Sequence, residues 1–161
     1  MRRTLPYFSK TAQKISGSIE GMLGTARSEV IVRADALDLT VFRSQAIIDI
    51  IKEALMRNRR FEVMLLIDDE MYLVQNCPRL TTLAKRAPSV VSIRIPDEET
   101  DRALGIEIVV DSKHHFYQPY DTRDNFILTM DDRATAHQKR RDFMHEWKIS
   151  HESAEVRKID G

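Results

Sequence analysis

Apolar positions along this chain recur in two rhythms, one helical and one strand-like. Ile15, Ile19, Met22 and Leu23 fall on one helical face and predict an amphipathic helix over residues 1–26. Gly17, Gly21 and Gly24 interrupt it at up to about 1 kcal/mol each relative to Ala, so packing has to hold it. The Gly17/Gly21 spacing predicts a close approach of this helix to the core. Val30-Ile-Val32 is a β-branched run that predicts a strand. Beyond Leu37, Leu39, Val41 and Phe42, Ser44 is placed to cap a helix whose buried face is Ile47, Ile48, Ile51, Ala54 and Leu55. That helix ends at Arg57-Asn-Arg-Arg60, a basic cluster suited to the negative end of a helix dipole. Phe61-Glu-Val-Met-Leu-Leu-Ile67 carries one charge, as a strand covered on both faces would. Strand, helix, strand in this order predicts a right-handed parallel crossover.

Leu80, Leu83, Ala84 and Ala87 predict a short helix that stops before Pro88, followed by a strand at Val90–Ile95 closed by Pro96. Asp97, Glu98, Glu99 and Asp101 read as a solvated loop. Ile106–Asp111 is the next strand, Lys113-His-His115 a polar turn, and Phe116-Tyr117 and Phe126–Leu128 two further strands. Asp131 or Asp132 can cap a last helix reaching Trp147. Phe143 and Trp147, four apart, share a face of it, and both rings are expected to be largely buried. The polar segment after Ser150 reads as a mobile tail. The expected organisation is an N-terminal helix (1–26), an α/β domain (27–150) with a mixed, mostly parallel sheet and helices on both faces, and a tail (151–161).

With 161 residues, 42% hydrophobic and 31% charged, the chain can bury one core. Lys+Arg and Asp+Glu both number 25, so no global field advertises a polyanionic partner, and only a local patch could bind one. The single cysteine, Cys77, can form no intramolecular disulfide, and no basic-then-apolar leader follows Met1; a cytoplasmic setting is expected. The longest apolar runs, Met64–Ile67 and Ile108–Val110, are far too short for a bilayer, so membrane insertion is not expected.

Three stretches carry a family resemblance. Phe61–Asp68 resembles the second strand, Ile106–Asp111 the motif-bearing strand, and Asp142-Phe-Met-His-Glu-Trp-Lys-Ile-Ser150 the closing F-x-x-x-W-x-x-S helix of the phospholipase D-like superfamily. Leu83-Ala-Lys-Arg-Ala-Pro-Ser89 before Ile93-Arg-Ile95 is similar to an uncharacterised bacterial family in which such a module stands alone or follows an acetyltransferase domain. The resemblance implies one half of a phospholipase D-like fold. Active members place His, any residue, Lys, four residues and Asp on this strand, the His as nucleophile or acid and the Lys against phosphate oxygens. Here those positions are Leu104, Ile106 and Asp111, and the usual Gly-Ser pair falls at Gln118-Pro119. Two aliphatic side chains supply neither nucleophile nor charge, so the phosphodiesterase mechanism does not carry over.

The remaining chemistry is sparse. Asp68-Asp69-Glu70 follows a buried strand, where open α/β sheets place ligands, and with Asp111, Lys113 and His114 it could form a rearranged, metal-dependent phosphodiesterase or nuclease site. The plainer reading has Asp68 begin the next turn or cap the Met71–Val74 segment, and makes Lys113-His114-His115 a turn. His137, His145 and His151 lack the spacing that puts two imidazoles on one helical face, and no cofactor or metal is expected. Cys77 beside Pro78 reads as a buried structural thiol. Basic residues gather at Arg2-Arg3, Arg57–Arg60 and Lys139-Arg-Arg141, yet three consecutive helical residues cannot all face one strand of nucleic acid. The main expectation is a non-catalytic phospholipase D-like binding or regulatory module. Its expected partners are a second copy or another protein, with nucleic acid ranked low. The alternatives are the rearranged phosphodiesterase and a nucleic-acid-binding module.

Overall fold

β1 (Glu29–Ala34) runs through the middle of the molecule, and every residue from Val30 to Ala34 is buried. In the computed structural model, which describes residues 4–122 and 125–158, it is the fourth of seven strands. β2 (Glu62–Ile67) and β3 (Val91–Ile95) lie parallel on one side of it, while β4 (Gly105–Val110), β5 (His114–Pro119) and β6 (Ile127–Thr129) follow antiparallel on the other. β7 (His151–Glu152) pairs antiparallel with β3 and completes the order β6-β5-β4-β1-β2-β3-β7. The fold is α/β, with a mixed sheet and helices on both faces; only the β1–β2 and β2–β3 pairings are parallel and the other four are antiparallel, so the sheet is not mostly parallel as expected. The two crossovers read from the apolar runs account for β1-β2-β3, because each strand follows its neighbour through helices on one face.

That face carries most of the core. Val30, Val32, Val63, Leu65, Ile67, Val91, Ile108 and Phe116 point into it. Ile15, Ile19, Met22 and Leu23 of α1 (Thr4–Gly24) and Ile47, Ile48 and Ile51 of α3 (Gln45–Arg57) cover it. Between them sit α2 (Thr40–Arg43), α4 (Glu70–Asn76) and α5 (Pro78–Arg86). The opposite face is covered by α6 (Arg133–Lys148), which lays Ala136 and Phe143 on Ile31, Met64, Leu66 and Val109. Among the described residues no helix is long and apolar enough to cross a membrane.

Several local readings need correction. The glycines of α1 lie on its exposed side, and a Cβ at Gly17, Gly21 or Gly24 would meet nothing within 4 Å, so no close approach requires them. Ser44 precedes α3, but its hydroxyl donates back to the Val41 carbonyl (3.1 Å) and caps nothing. The turn after β4 is Asp111–Lys113, with Asp111 and Ser112 at φ 55° and 54°, and His114 and His115 are buried in β5. Asp132, not Asp131, caps α6, accepting from the Thr135 amide (3.1 Å) and hydroxyl (2.8 Å). These hydrogen bonds hold its carboxyl below the usual range. Phe143 is buried as expected, whereas Trp147 is only half-buried, so a large truncation cost is expected at Phe143 and not at Trp147.

The segment after Ser150 is not a loose tail. β7 extends the sheet, and α7 (Ala154–Arg157) follows with Val156 buried; the Ser153 hydroxyl donates to the Glu70 carboxylate (2.6 Å) and accepts from the Val156 amide (3.2 Å). Ending the chain at Ser150 should therefore lower the thermal midpoint by about 5 °C or more, from about 2 kcal/mol of lost burial. An unchanged midpoint in differential scanning calorimetry would return the segment to the status of a tail.

Candidate functional site

The acidic candidates are taken up by the fold, at opposite ends of the sheet. Asp68 follows β2, where it pairs with the buried Arg33 guanidinium (3.1 Å) and accepts from the Ala103 amide (2.9 Å). Asp69 caps α4 through the Tyr72 amide (2.9 Å). Asp111 accepts the amides of Arg27 (2.9 Å), Ser28 (2.8 Å) and Glu29 (2.9 Å), closing the start of β1. The Asp68 amide bonds to Ala34 and the Asp111 amide to Glu29, so the full length of β1, about 17–20 Å, separates the two carboxylates. They cannot share a cation, and the rearranged site is not assembled. Lys113 lies 3.8 Å from Asp131, and buried His114 accepts the Asp131 amide at Nδ1 (3.0 Å). Leu104 is 81% exposed and Ile106 is buried. Among the described residues no three His, Cys, Asp or Glu side chains converge as metal ligands.

The same end of the sheet that Asp111 closes carries a different constellation. Glu29 and Glu62 are register partners at the starts of β1 and β2, so the preceding loops, with Arg27 and Arg57–Arg60, lie side by side. Asn58 ties them together: its Nδ2 donates to the Arg27 carbonyl (2.7 Å) and its Oδ1 accepts the Arg60 amide (2.9 Å). Arg57 reaches back to the carbonyls of Gly24 (3.5 Å) and Ala26 (3.3 Å), neutralising the end of α1. Arg27, Arg59 and Arg60 are exposed, and their guanidinium groups meet no carboxylate among the described residues.

Arg140 of α6 joins the edge of this patch, bound to both oxygens of Glu29 (2.7 and 2.8 Å), and that contact holds its guanidinium even more firmly protonated. Its neighbours turn elsewhere, Lys139 to Glu107 (3.6 Å) and Arg141 to Gln138. The fan of consecutive helical residues is thus as read from spacing, while folding does bring one of the three beside the Arg57–Arg60 cluster. Arg2-Arg3 lies outside the described residues.

Spacing gave no warning of a polar group on the α6 side of the sheet. His115 Nε2 lies 2.7 Å from Glu107, which also faces Lys139, in a cleft of about 680 Å³ floored by Glu107, His115 and Tyr117. The signal available was parity: Glu107 and Tyr117 are cross-strand partners whose side chains both leave the apolar face.

Residues 11–159 match the family described as "Domain of unknown function (DUF7931)", and the chain belongs to that family. No curated protein matches it. Among solved structures the chain is similar to TrmBL2, described as an archaeal chromatin protein with a novel mode of DNA binding. The TM-score is 0.61 at 14% identity, over 86% of this chain and 50% of that one. The chain thus spans half the length of that neighbour. Two expectations are corrected by this likeness: the main reading as a non-catalytic binding or regulatory module ahead of nucleic-acid binding, and the low rank given to nucleic acid as a partner.

Two outcomes check the structural roles. Asp111→Ala strands three amides and should cost about 2–3 kcal/mol in urea unfolding, whereas a purely catalytic aspartate would leave stability unchanged. Burial pushes the Cys77 thiol up to about 11, against a smaller opposing effect of Arg43. A thiol reagent at about pH 8 should therefore label Cys77 only after unfolding. Rapid labelling of the native protein would contradict that burial.

Proposed function

We propose that this chain is a nucleic-acid-binding module that grips the phosphate backbone with the arginines at the starts of β1 and β2. The observation that carries the reading is the convergence of Arg27, Arg59 and Arg60, exposed and meeting no carboxylate among the described residues, on loops clamped by Asn58. A guanidinium left unpaired at a fixed position is suited to phosphate oxygens, which it can meet with two parallel hydrogen bonds. The zero formal charge does not oppose this, because at physiological salt charges are felt over only about 8–10 Å and the local excess decides. The likeness to a DNA-binding chromatin protein supports the same reading. Neither loop presents a helix to a groove, so the contact is to backbone rather than to base edges.

The order of elements, with α6 laid over the sheet and Phe143, Trp147 and Ser150 at its end, supports a phospholipase D-like half as the scaffold. On that scaffold Leu104 and Ile106 offer no phosphodiester chemistry, and the arginine patch sits at the opposite end of β1 from Asp68.

With about three or four arginines engaged, duplex affinity should fall with a log–log salt slope of about −3 to −4. Arg59→Glu combined with Arg60→Glu should flatten that slope by about two and weaken binding at low salt, as read by fluorescence anisotropy of a labelled duplex. A matched reversal at Lys14 and Lys52, outside the patch, should leave it close to wild type. Absence of duplex binding at low salt, or equal loss in both double variants, would overturn the proposal.

A further inference from the structure

We infer that a second, distinct cleft around Trp147 takes an unpaired base of the same nucleic acid, an inference that rests on the nucleic-acid reading above. α6 covers the sheet incompletely, and beyond its end a cleft of about 610 Å³ opens between β3, β7, α5 and α7. That volume lies within the range of small-ligand sites, roughly 300–1,000 Å³, and accommodates a nucleotide.

Trp147 forms one wall. Its indole stacks on Phe143, with centroids 5.5 Å apart and planes at 23°, and the Arg94 guanidinium carbon lies 5.5 Å from its centroid. Arg94 is fixed in turn by the Ser150 hydroxyl (2.7 Å) and carbonyl (2.5 Å). The guanidinium is held over the indole and cannot swing away, so the two form one flat, polarisable stack whose open guanidinium side a base can extend. The charge around it is net positive: Lys85, Arg94 and Arg157 line it with one acid, Glu152, which pairs with Arg157 (3.8 Å). Lys85 is held at the rim by the Arg157 carbonyl (2.8 Å). An aromatic platform inside a cationic cleft is how single strands are bound without sequence preference. A duplex keeps its bases inside the stack, so only an unpaired nucleotide can enter.

The place in the fold supports the same conclusion. The Val63 amide bonds to the Val90 carbonyl (2.7 Å), so the start of β3, with Pro88 on the rim of the cleft, neighbours the start of β2 and the Arg59-Arg60 loop. The rim at Pro88 thus lies on the side of the arginine patch, and Trp147 lies further along β3, at Arg94. The half-buried state of the indole, unexpected for a core anchor, follows from such a role.

Trp147 is the one tryptophan in the chain, so its emission reports on the cleft alone. A short oligothymidylate strand should quench it saturably, and a blunt duplex of equal length should not. Trp147→Leu should weaken the labelled single strand by about tenfold in anisotropy. Lys85→Glu with Arg157→Glu, surface changes that leave the core intact, should weaken it to a similar degree while duplex affinity stays in place. If the duplex binds through Arg59 and Arg60 but the single strand neither quenches the indole nor responds to these variants, the cleft inference fails and the nucleic-acid reading stands. If neither nucleic acid binds at low salt, both fail. Quenching by an extended acidic peptide but not by the oligonucleotide would assign the cleft to a protein segment and overturn the inference.

Discussion

A single buried guanidinium holds the two sides of this fold in register. Arg33 lies on the central strand, 9% exposed, and a charge so placed is tolerated only if its donors are matched. Nη1 and Nη2 meet Asp68 beyond β2, Nη1 also reaches the carbonyls of Ala34 and Leu66, and Nη2 reaches that of Asp101. Nε takes Glu146 of α6 (3.1 Å). One side chain thus fixes the ends of two parallel strands, the loop leading to β4 and the helix across the sheet. The small apolar contact of α6, centred on Ala136 and Phe143, would set its direction far less sharply without that ion pair.

At the opposite end of β1 the balance is struck with a carboxylate and an amide. Asp111 gathers three backbone amides, and Asn58 bridges the two loops that enter β1 and β2. With the backbone satisfied in this way, Glu29 occupied by Arg140 and Arg57 bound to the end of α1, the exposed Arg27, Arg59 and Arg60 meet no carboxylate among the described residues. Paired and unpaired charges therefore stand side by side at this end of β1, within a chain whose totals cancel. Where every cation is matched locally, as for Lys139 and Glu107, the surface offers a partner little field.

The layering explains where open surface remains. One face of the sheet is sealed by α1, α3 and α5, whereas the other relies on α6 alone. A single helix about 10–12 Å across cannot cover seven strands, so a cleft opens beside it and another at the β3–β7 edge beyond its end. The first holds the mutually compensated Glu107, His115 and Lys139; the second holds Trp147 with Arg94, Lys85 and the paired Arg157 and Glu152.

Local periodicity was enough to place most elements, because burying one face imposes a repeat that survives in the sequence. The Ile47–Ala54 stripe and the β-branched runs of β1 to β4 were legible on that basis, whereas the choice of Asp132 over Asp131 as the cap of α6 was not. So was the lack of His and Lys at Leu104 and Ile106, a matter of side-chain identity alone. The two-residue β7 was not legible, because so short a strand exists only through its pairing with Arg94 and Ile95. Nor was the division of the arginines into bound and free. Arg140 finds Glu29 across 111 residues, and Arg33 finds Glu146 across 113. The sequence by itself determined the order of the longer elements and the aliphatic side chains at Leu104 and Ile106. Which charges are spent inside the fold, and how far Trp147 emerges from it, only the tertiary structure decided, since electrostatic pairing and burial depend on distance in space and not along the chain.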